Sequence, residues 1–262
     1  MKKTKYALVI SMSLLLLSCG GDDTGGNLST NTCGLLGLPT KIINGTACSD
    51  TDSPVVRITL ISRSGKPFLC TGTMLTSTKV LTAAHCFFEP IRAAYIEAGR
   101  LRADATRVTV HPGVSEQPTA VFNDVAILTL KTAVNLPTVP LFTSRALEAG
   151  DKIAIYGYGQ TEDESPDHFT AGILRSGQMR LDSVTPDHLI AAFDGKKGSN
   201  TCFGDSGGPA IFSSGGIVGI VGITSSGVVS DCGPGDVSLF ANTQGASVLN
   251  FIRSAVPGIP EV

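Results

Sequence analysis

A serine set between glycines, in Gly204-Asp205-Ser206-Gly207-Gly208-Pro209, is the part of the chain best suited to covalent chemistry. A hydroxyl is a poor nucleophile until a base removes its proton and donors stabilise the oxyanion it creates. Glycine lets such a loop bend so that the amides of Gly204 and Ser206 converge on one point, an oxyanion hole. A loop of this kind needs a histidine as base and an acid to orient it. Val80-Leu81-Thr82-Ala83-Ala84-His85-Cys86 supplies His85 at the end of an apolar, strand-like run, with small Ala83 and Ala84 beside the ring. Phe122-Asn123-Asp124-Val125-Ala126-Ile127 supplies Asp124 at the mouth of a second apolar run, where a carboxylate can be shielded from water. Cys70 stands in a third strand-like stretch, and a bond from Cys70 to Cys86 would clamp the loop that carries His85.

The order His85, Asp124, Ser206, with these flanks, resembles the trypsin/chymotrypsin family of serine endopeptidases from about residue 42 to the C-terminus. The resemblance implies an all-β fold of two packed antiparallel six-stranded β-barrels with a short C-terminal helix. The first barrel would span about 42–140, the second about 141–246 and the helix about 247–256. His85 and Asp124 would come from the first barrel and Ser206 from the second, in a cleft open to an extended peptide. A second disulfide, Cys202 with Cys232, is implied beside the substrate pocket. Lys41-Ile42-Ile43-Asn44-Gly45 resembles the family's activation site. Cleavage after Lys41 would free the amino group of Ile42 to pair with Asp205. A buried carboxylate and a buried ammonium are each costly alone, so the pair could hold the Ser206 loop in shape. The other reading is that Ile42 and Ile43 simply begin the first strand.

Specificity is read from fewer residues. Asn200, six before Ser206, falls at the base of the family's pocket, where trypsin-like enzymes carry an aspartate. With Thr224 and Ser238 as walls, a neutral Asn200 favours small or medium uncharged side chains at the P1 position. Asp236 is the open alternative: if it reaches the pocket, a preference for basic residues returns. A neutral pocket would not cut after Lys41, so a separate activating protease is expected. The serine that supports the triad acid in this family is missing near Gly222 or supplied by Thr224 or Ser225.

The N-terminus reads as an address. Lys2, Lys3 and Lys5 precede an apolar stretch too short to span a bilayer comfortably, as in a signal peptide over 1–18. Leu16-Leu17-Ser18-Cys19-Gly20 resembles a bacterial lipoprotein signal, which implies lipidation of Cys19 and a bacterial membrane as partner. Gly20 after the cysteine points to the outer membrane; an ordinary signal and a periplasmic or secreted enzyme is the alternative. Residues 19–41 then form a lipidated tether and propeptide, flexible over 20–39 on its Gly, Asp, Thr, Asn and Ser content, ahead of a protease domain over 42–262. With Cys19 acylated, Cys33 and Cys48 remain, one on each side of Lys41–Ile42. They are expected to pair; two free thiols is the other possibility. Cys48 often pairs, in the family, with a cysteine near position 176, but Ser176 is not one.

The elements that must position these groups are short. Strand-like runs at 55–61, 68–75, 79–83, 125–130, 152–158, 188–193, 217–224 and 238–243 are separated by turns, and thirty glycines fit a β-rich chain. Val248, Leu249, Ile252 and Val256 have helical spacing. A formal net charge of −2, with three basic residues inside the signal, leaves no basic footprint for nucleic acid. His111, His168 and His188 lack metal-ligand spacing, and no cofactor is expected. The acidic run from Glu162 to Asp167 reads as a solvated loop. The partners expected are protein or peptide substrates, for a monomeric enzyme. The competing class is a binding lipoprotein that has the protease fold without its activity.

Overall fold

Apolar side chains at alternate positions of Val55–Ser62 bury one face of the first strand, β1, and so begin a barrel. The computed structural model describes residues 32–38, 47–161, 170–195, 198–229 and 232–262. Cys19, Lys41, Ile42, the acidic run at 162–167 and His168 lie outside the described residues. After β1 come β2 (Pro67–Thr76), β3 (Lys79–Thr82), β4 (Ile91–Ala98) and β5 (Leu101–Val110). A small hairpin of β6 (Ser115–Gln117) and β7 (Ala120–Phe122) precedes β8 (Ala126–Leu130). Strands β1, β2, β3, β8, β5 and β4 close in that order, antiparallel throughout. Ile58, Leu60, Met74, Val80, Ile96 and Leu128 are buried within this unit. Each such side chain contributes about 1.5–3 kcal/mol of burial.

The second unit is a seven-stranded antiparallel sheet rather than a closed six-stranded barrel. Its strands are β9 (Lys152–Gly157), β10 (Arg175–Arg180), β11 (Ser183–Val184), β12 (His188–Ala192), β13 (Pro209–Ser214), β14 (Ile217–Ser226) and β15 (Val237–Asn242). They run in the order β10-β9-β13-β14-β15-β12-β11. The edge strand β10 gives its next backbone bond to the segment that carries Asn200: Ser199 N–H donates to the Gln178 carbonyl at 2.9 Å. That segment takes the place a closing strand would have. A separate core packs on this sheet, where Phe142 meets Phe212 edge to face at 5.1 Å, near Leu189, Val221 and Phe240.

Among the described residues, two α-helices complete the fold. In α2 (Ala246–Ala255), Val248 and Ile252 lie one turn apart and enter the core shared with the barrel. The C-terminal residues then bracket the connection between the units, with Leu141 N–H on the Pro260 carbonyl and Val262 N–H on the Leu141 carbonyl. The other helix, α1 (Thr32–Leu35), corrects the flexible tether expected over 20–39. Residues 32–38 are docked on β9 and β10. Cys33 is bonded to Cys48, and Leu38 is buried in the shared core. Tyr156 donates its hydroxyl to the Thr32 carbonyl, and Thr32 Oγ1 lies 2.7 Å from Ser176 Oγ. Composition pointed to a solvated linker, but a covalent bond and a few apolar contacts outweigh the entropy of a short segment.

Candidate active site

His85 opens a single helical turn, His85–Phe87, directly after β3, and Cys86 within that turn is bonded to Cys70 on β2. Asp124 lies two residues before β8, the strand paired with β3, so the two side chains emerge at one rim of the barrel. Asn123, with φ of 49°, turns the chain so that Asp124 faces inward. The carboxylate is completely buried and accepts three hydrogen bonds. His85 Nδ1 is 2.7 Å from Oδ2, His85 N–H donates to Oδ1 at 2.9 Å, and Ser225 Oγ–H donates to Oδ2 at 2.5 Å. Burial pushes the Asp124 carboxyl up, but the bonds and charge of His85, with Ser225, outweigh it and hold the group below the usual carboxylate range. The support that the sequence left open between Thr224 and Ser225 therefore comes from Ser225, on β14. His85 is fixed through Nδ1, and its Nε2 is left free for a proton from outside the pair.

Ser206 approaches from the second unit. The Cys86 sulfur lies 4.0 Å from the Ser206 carbonyl, and Thr71 N–H donates to that same carbonyl at 2.8 Å. No hydrogen bond links Ser206 Oγ to His85 among the described residues. Catalytic hydrogen bonds are often long before substrate is bound. Thr71 is a site residue that the sequence reading missed. Its hydroxyl donates to the Gly204 carbonyl at 2.8 Å and accepts from Tyr158 N–H at 3.1 Å, while its carbonyl accepts from Thr82 Oγ1 at 2.8 Å. One threonine thus ties the serine loop to the barrel that carries His85. Nothing in an isolated Thr after a cysteine announces this, because each partner is distant in sequence.

Gly204 has φ of 99°, a conformation that disfavours a side chain, and a methyl group there would fall 2.7 Å from Leu69. The N–H groups of Gly204 and Ser206 donate to no acceptor among the described residues, whereas the Asp205 and Gly207 amides are engaged by Cys202 and Thr224 carbonyls. Two free, neighbouring backbone donors can stabilise a developing negative charge.

Asp205 points the other way. Its Oδ1 accepts from Gly159 N–H at 2.7 Å and its Oδ2 from Cys202 N–H at 2.9 Å. Side chains at Gly157 or Gly159 would collide with this carboxylate. It faces a cavity of about 300 Å³, lined also by Tyr156, Ser176 and Asn200. Burial, only partly offset by the Cys202 and Gly159 amides and by Arg175, raises its pKa from 3.8 to about 6. A raised carboxyl pKa means that the folded chain binds more protons than the unfolded one between these values. The penalty on folding therefore appears as pH rises from about 4 to about 6 and is complete above that. The cavity admits water, so the effect is roughly 1–2 kcal/mol rather than the full linkage value. Asp205→Asn should accordingly stabilise the chain at pH 7 relative to its effect at pH 4. Thermal melts of both proteins across that range give the difference, and a flat difference would count against a charged, unpaired Asp205.

Among the described residues there are three disulfides: Cys33–Cys48, Cys70–Cys86 and Cys202–Cys232. Ser176 lies 3.2 Å from both sulfurs of the first, so the position without a cysteine packs against the bond that joins Cys33 to Cys48. Around Asn200, Ser238 is fully buried and donates its hydroxyl to Asn200 Oδ1 at 2.7 Å. Thr224 is also buried; its carbonyl and amide hold Gly207 and Gly208, and its hydroxyl has no partner among the described residues. Asp236, which the sequence left as an alternative, is at Asn200: Asn200 Nδ2 donates to Asp236 Oδ2 at 2.8 Å.

Comparison with known proteins agrees with this fold. The family model described as Trypsin matches residues 42–252. A trypsin of Saccharopolyspora erythraea is 29% identical over 206 residues, 71% of this chain and 86% of that protein. A trypsin of Phaedon cochleariae is 29% identical over 177 residues, 58% of this chain and 67% of that protein. Vitamin K-dependent protein C of Rattus norvegicus is 27% identical over 222 residues, 73% of this chain and 47% of that protein. Among solved structures, HL collagenase superposes with a TM-score of 0.66 at 19% identity, covering 82% of this chain and 98% of its own.

Proposed function

The chain belongs to the trypsin family and is a serine endopeptidase, and from this premise we propose that Ser206 is its nucleophile, His85 its general base and Asp124 the carboxylate that orients the base. The observation that carries the reading is Asp124, buried under three donors, two of them from His85. In this reading His85 Nε2 takes the Ser206 proton as Oγ attacks the scissile carbonyl, and later returns a proton to the leaving amine. The Gly204 and Ser206 amides hold the tetrahedral oxyanion. Water then repeats the sequence on the acyl-enzyme.

Activation is by cleavage between Lys41 and Ile42. The new Ile42 ammonium enters the cavity in front of Asp205 and adds a cation in direct contact with this carboxylate. What supports this is the inward, amide-held carboxylate and the glycines that make room for it. The Leu16-Leu17-Ser18-Cys19-Gly20 run supports a lipid on Cys19 and anchoring at the bacterial outer membrane. Because Cys33 and Cys48 flank the cut, the mature enzyme stays joined to its N-terminal segment and to that anchor. On a neutral Asn200, with Thr224 and Ser238 as walls, P1 is small or medium and uncharged; Asp236, which accepts from Asn200 at 2.8 Å, is the alternative source of a preference for basic residues.

One experiment tests both claims. The chain, cut at Lys41–Ile42, is treated with a serine-directed fluorophosphonate carrying a fluorophore and run with and without reductant. The label is expected on Ser206, on a species of full mass without reductant and on the shorter C-terminal chain with it. A cut protein that takes no label is a binder with a protease fold. Loss of the N-terminal fragment without reductant removes the tether.

A further inference from the structure

A hydroxyl from the first barrel reaches the peptide that joins the two free amides of the serine loop. We propose that Thr71 is a positioning residue for the oxyanion hole: its side chain sets the angle between the Gly204 and Ser206 N–H groups, and with it the rate of the acylation step. The inference rests on the endopeptidase reading above and concerns how that site keeps its working shape.

Each carbonyl of residues 203–206 has a partner, and three of the four partners are backbone amides. The Phe203 carbonyl accepts from Gln160 N–H at 2.9 Å, the Asp205 carbonyl from Gly208 N–H at 2.8 Å and the Ser206 carbonyl from Thr71 N–H at 2.8 Å. The fourth carbonyl, of Gly204, is held by a side chain, Thr71 Oγ1 at 2.8 Å. The peptide between Gly204 and Asp205 lies between the two peptides that carry the free donors. Turning it changes the angle between Gly204 N–H and Ser206 N–H. Gly204, with φ of 99° and no side chain, is the residue at which such a turn costs least. The other bond on this peptide, Asp205 N–H to the Cys202 carbonyl at 3.0 Å, is internal to the loop and moves with it. Thr71 ties the peptide to something outside the loop.

Thr71 is itself fixed. It is fully buried on β2, next to Cys70, whose bond to Cys86 anchors the turn of His85. Its Oγ1 accepts from Tyr158 N–H at 3.1 Å, so its one proton is left for the Gly204 carbonyl, which can only accept. Its methyl lies against the chain just past Ser206: a methyl group at Gly208 would fall 3.2 Å from Thr71 Cγ2. The amide after Tyr158, Gly159 N–H, donates to Asp205 Oδ1 at 2.7 Å. Two consecutive amides thus hold the two residues of one peptide, Tyr158 through Thr71 on Gly204, and Gly159 directly on Asp205. Because Cys70 and Thr71 are neighbours, the base and the oxyanion donors are referenced to the same point of β2. Donors of this kind act on charge that develops in the transition state, and their worth depends on being in place beforehand. A ground-state carbonyl gains less from them, so a loosened Gly204 peptide is felt in kcat more than in KM.

Thr71→Val keeps the shape of the side chain and removes the hydroxyl. In protein cut at Lys41–Ile42 and labelled to completion with fluorophosphonate to count active sites, it is expected to lower kcat on a peptide anilide by about 10- to 100-fold, less than removal of a donor outright, with KM within about threefold of the parent's. Two inhibitors separate the oxyanion hole from the rest of the cleft. With a peptidyl trifluoromethyl ketone, Ser206 Oγ adds to the ketone carbon, its proton passes to His85, and the former carbonyl oxygen becomes an anion at the two amides. Affinity for this probe is expected to fall by the same factor as kcat. The matching peptide with a reduced, methyleneamino link in place of the scissile amide has no oxygen for the hole, and its affinity should stay at the parent's, as should the pH at which kcat/KM inflects. Thr71→Ser restores the hydroxyl and should return kcat to within about threefold of the parent. Thr71→Ala, where the vacated space admits a water between Tyr158 N–H and the Gly204 carbonyl, serves if the valine variant does not fold, and should show the same split between the two inhibitors. Parallel losses for both inhibitors, kcat and KM would make Thr71 a structural residue and overturn the proposal. So would a folded Thr71→Val or Thr71→Ala enzyme with kcat and ketone affinity within about twofold of the parent, or a Thr71→Ser enzyme that recovers nothing. A cut parent protein that takes no label and hydrolyses no peptide overturns the endopeptidase reading instead.

Discussion

Ser206→Ala, cut at Lys41–Ile42 by an added protease, is expected to retain its fold and lose turnover on the order of a millionfold in kcat, the scale seen when the nucleophile of a comparable triad is removed. The fold is spared because the lost hydroxyl makes no hydrogen bond among the described residues, so no buried partner is stranded. The bonds that shape the loop are backbone or belong to other residues: Thr71 N–H to the Ser206 carbonyl, Thr71 Oγ1 to the Gly204 carbonyl and Gly207 N–H to the Thr224 carbonyl. A melting temperature within a few degrees of the parent is therefore expected. Residual activity well above the uncatalysed rate should persist, because the Gly204 and Ser206 amides still face the reacting carbonyl. Steady-state hydrolysis of a chromogenic peptide, at matched concentrations of cut protein, measures the effect. A variant that turns over within tenfold of the parent would remove Ser206 from the chemistry and leave the free amides unexplained.

The parts of the site that were legible in the sequence are those where one residue type and its neighbours state a chemical need. Ser206 among glycines, His85 after two alanines and Asp124 before an apolar strand each announce a group to be exposed, accommodated or shielded. Strand β1, which alternates cleanly, and β8, a short unbroken apolar run, were legible for the same reason. Strand β10 was not: Arg175-Ser176-Gly177-Gln178-Met179-Arg180 is a polar edge, and an edge need not alternate. Strand β5 was obscured by Arg102, Asp104 and Arg107, whose side chains leave the barrel for solvent. Thr71 was out of reach for a different cause, and Asp236 could be named only as an alternative. Thr71 links the serine loop to the barrel from 133 residues away, and the Asn200–Asp236 bond spans 36. Such contacts depend on how the units pack, which no local pattern encodes. Residues 32–38 failed in the opposite direction: composition described a tether, while one cysteine and one leucine made the segment part of the domain.

Asp124→Asn tests a different part of the machine, and is expected to lower kcat by about 10⁴ near neutral pH with little change in geometry. An asparagine has the same shape but replaces one acceptor oxygen with a donor nitrogen. In the parent, Oδ1 accepts from His85 N–H, while Oδ2 accepts from both Ser225 and His85 Nδ1. An amide cannot satisfy all three donors. If its oxygen stays on the backbone N–H, its nitrogen faces Nδ1 and favours the imidazole tautomer that carries the proton on Nε2. That tautomer has no lone pair directed at Ser206, so the base is lost although the ring has not moved. The defect is one of protonation, which separates it from a folding defect. The Asp124→Asn enzyme should still bind peptide with a KM near the parent's. Its activity should rise with pH beyond the point where the parent levels off, because hydroxide can substitute for the missing base. The two pH–rate profiles, with melting curves alongside, provide the check. An Asp124→Asn enzyme that keeps the parent's rate and profile would show that the buried carboxylate serves the barrel rim and not the chemistry.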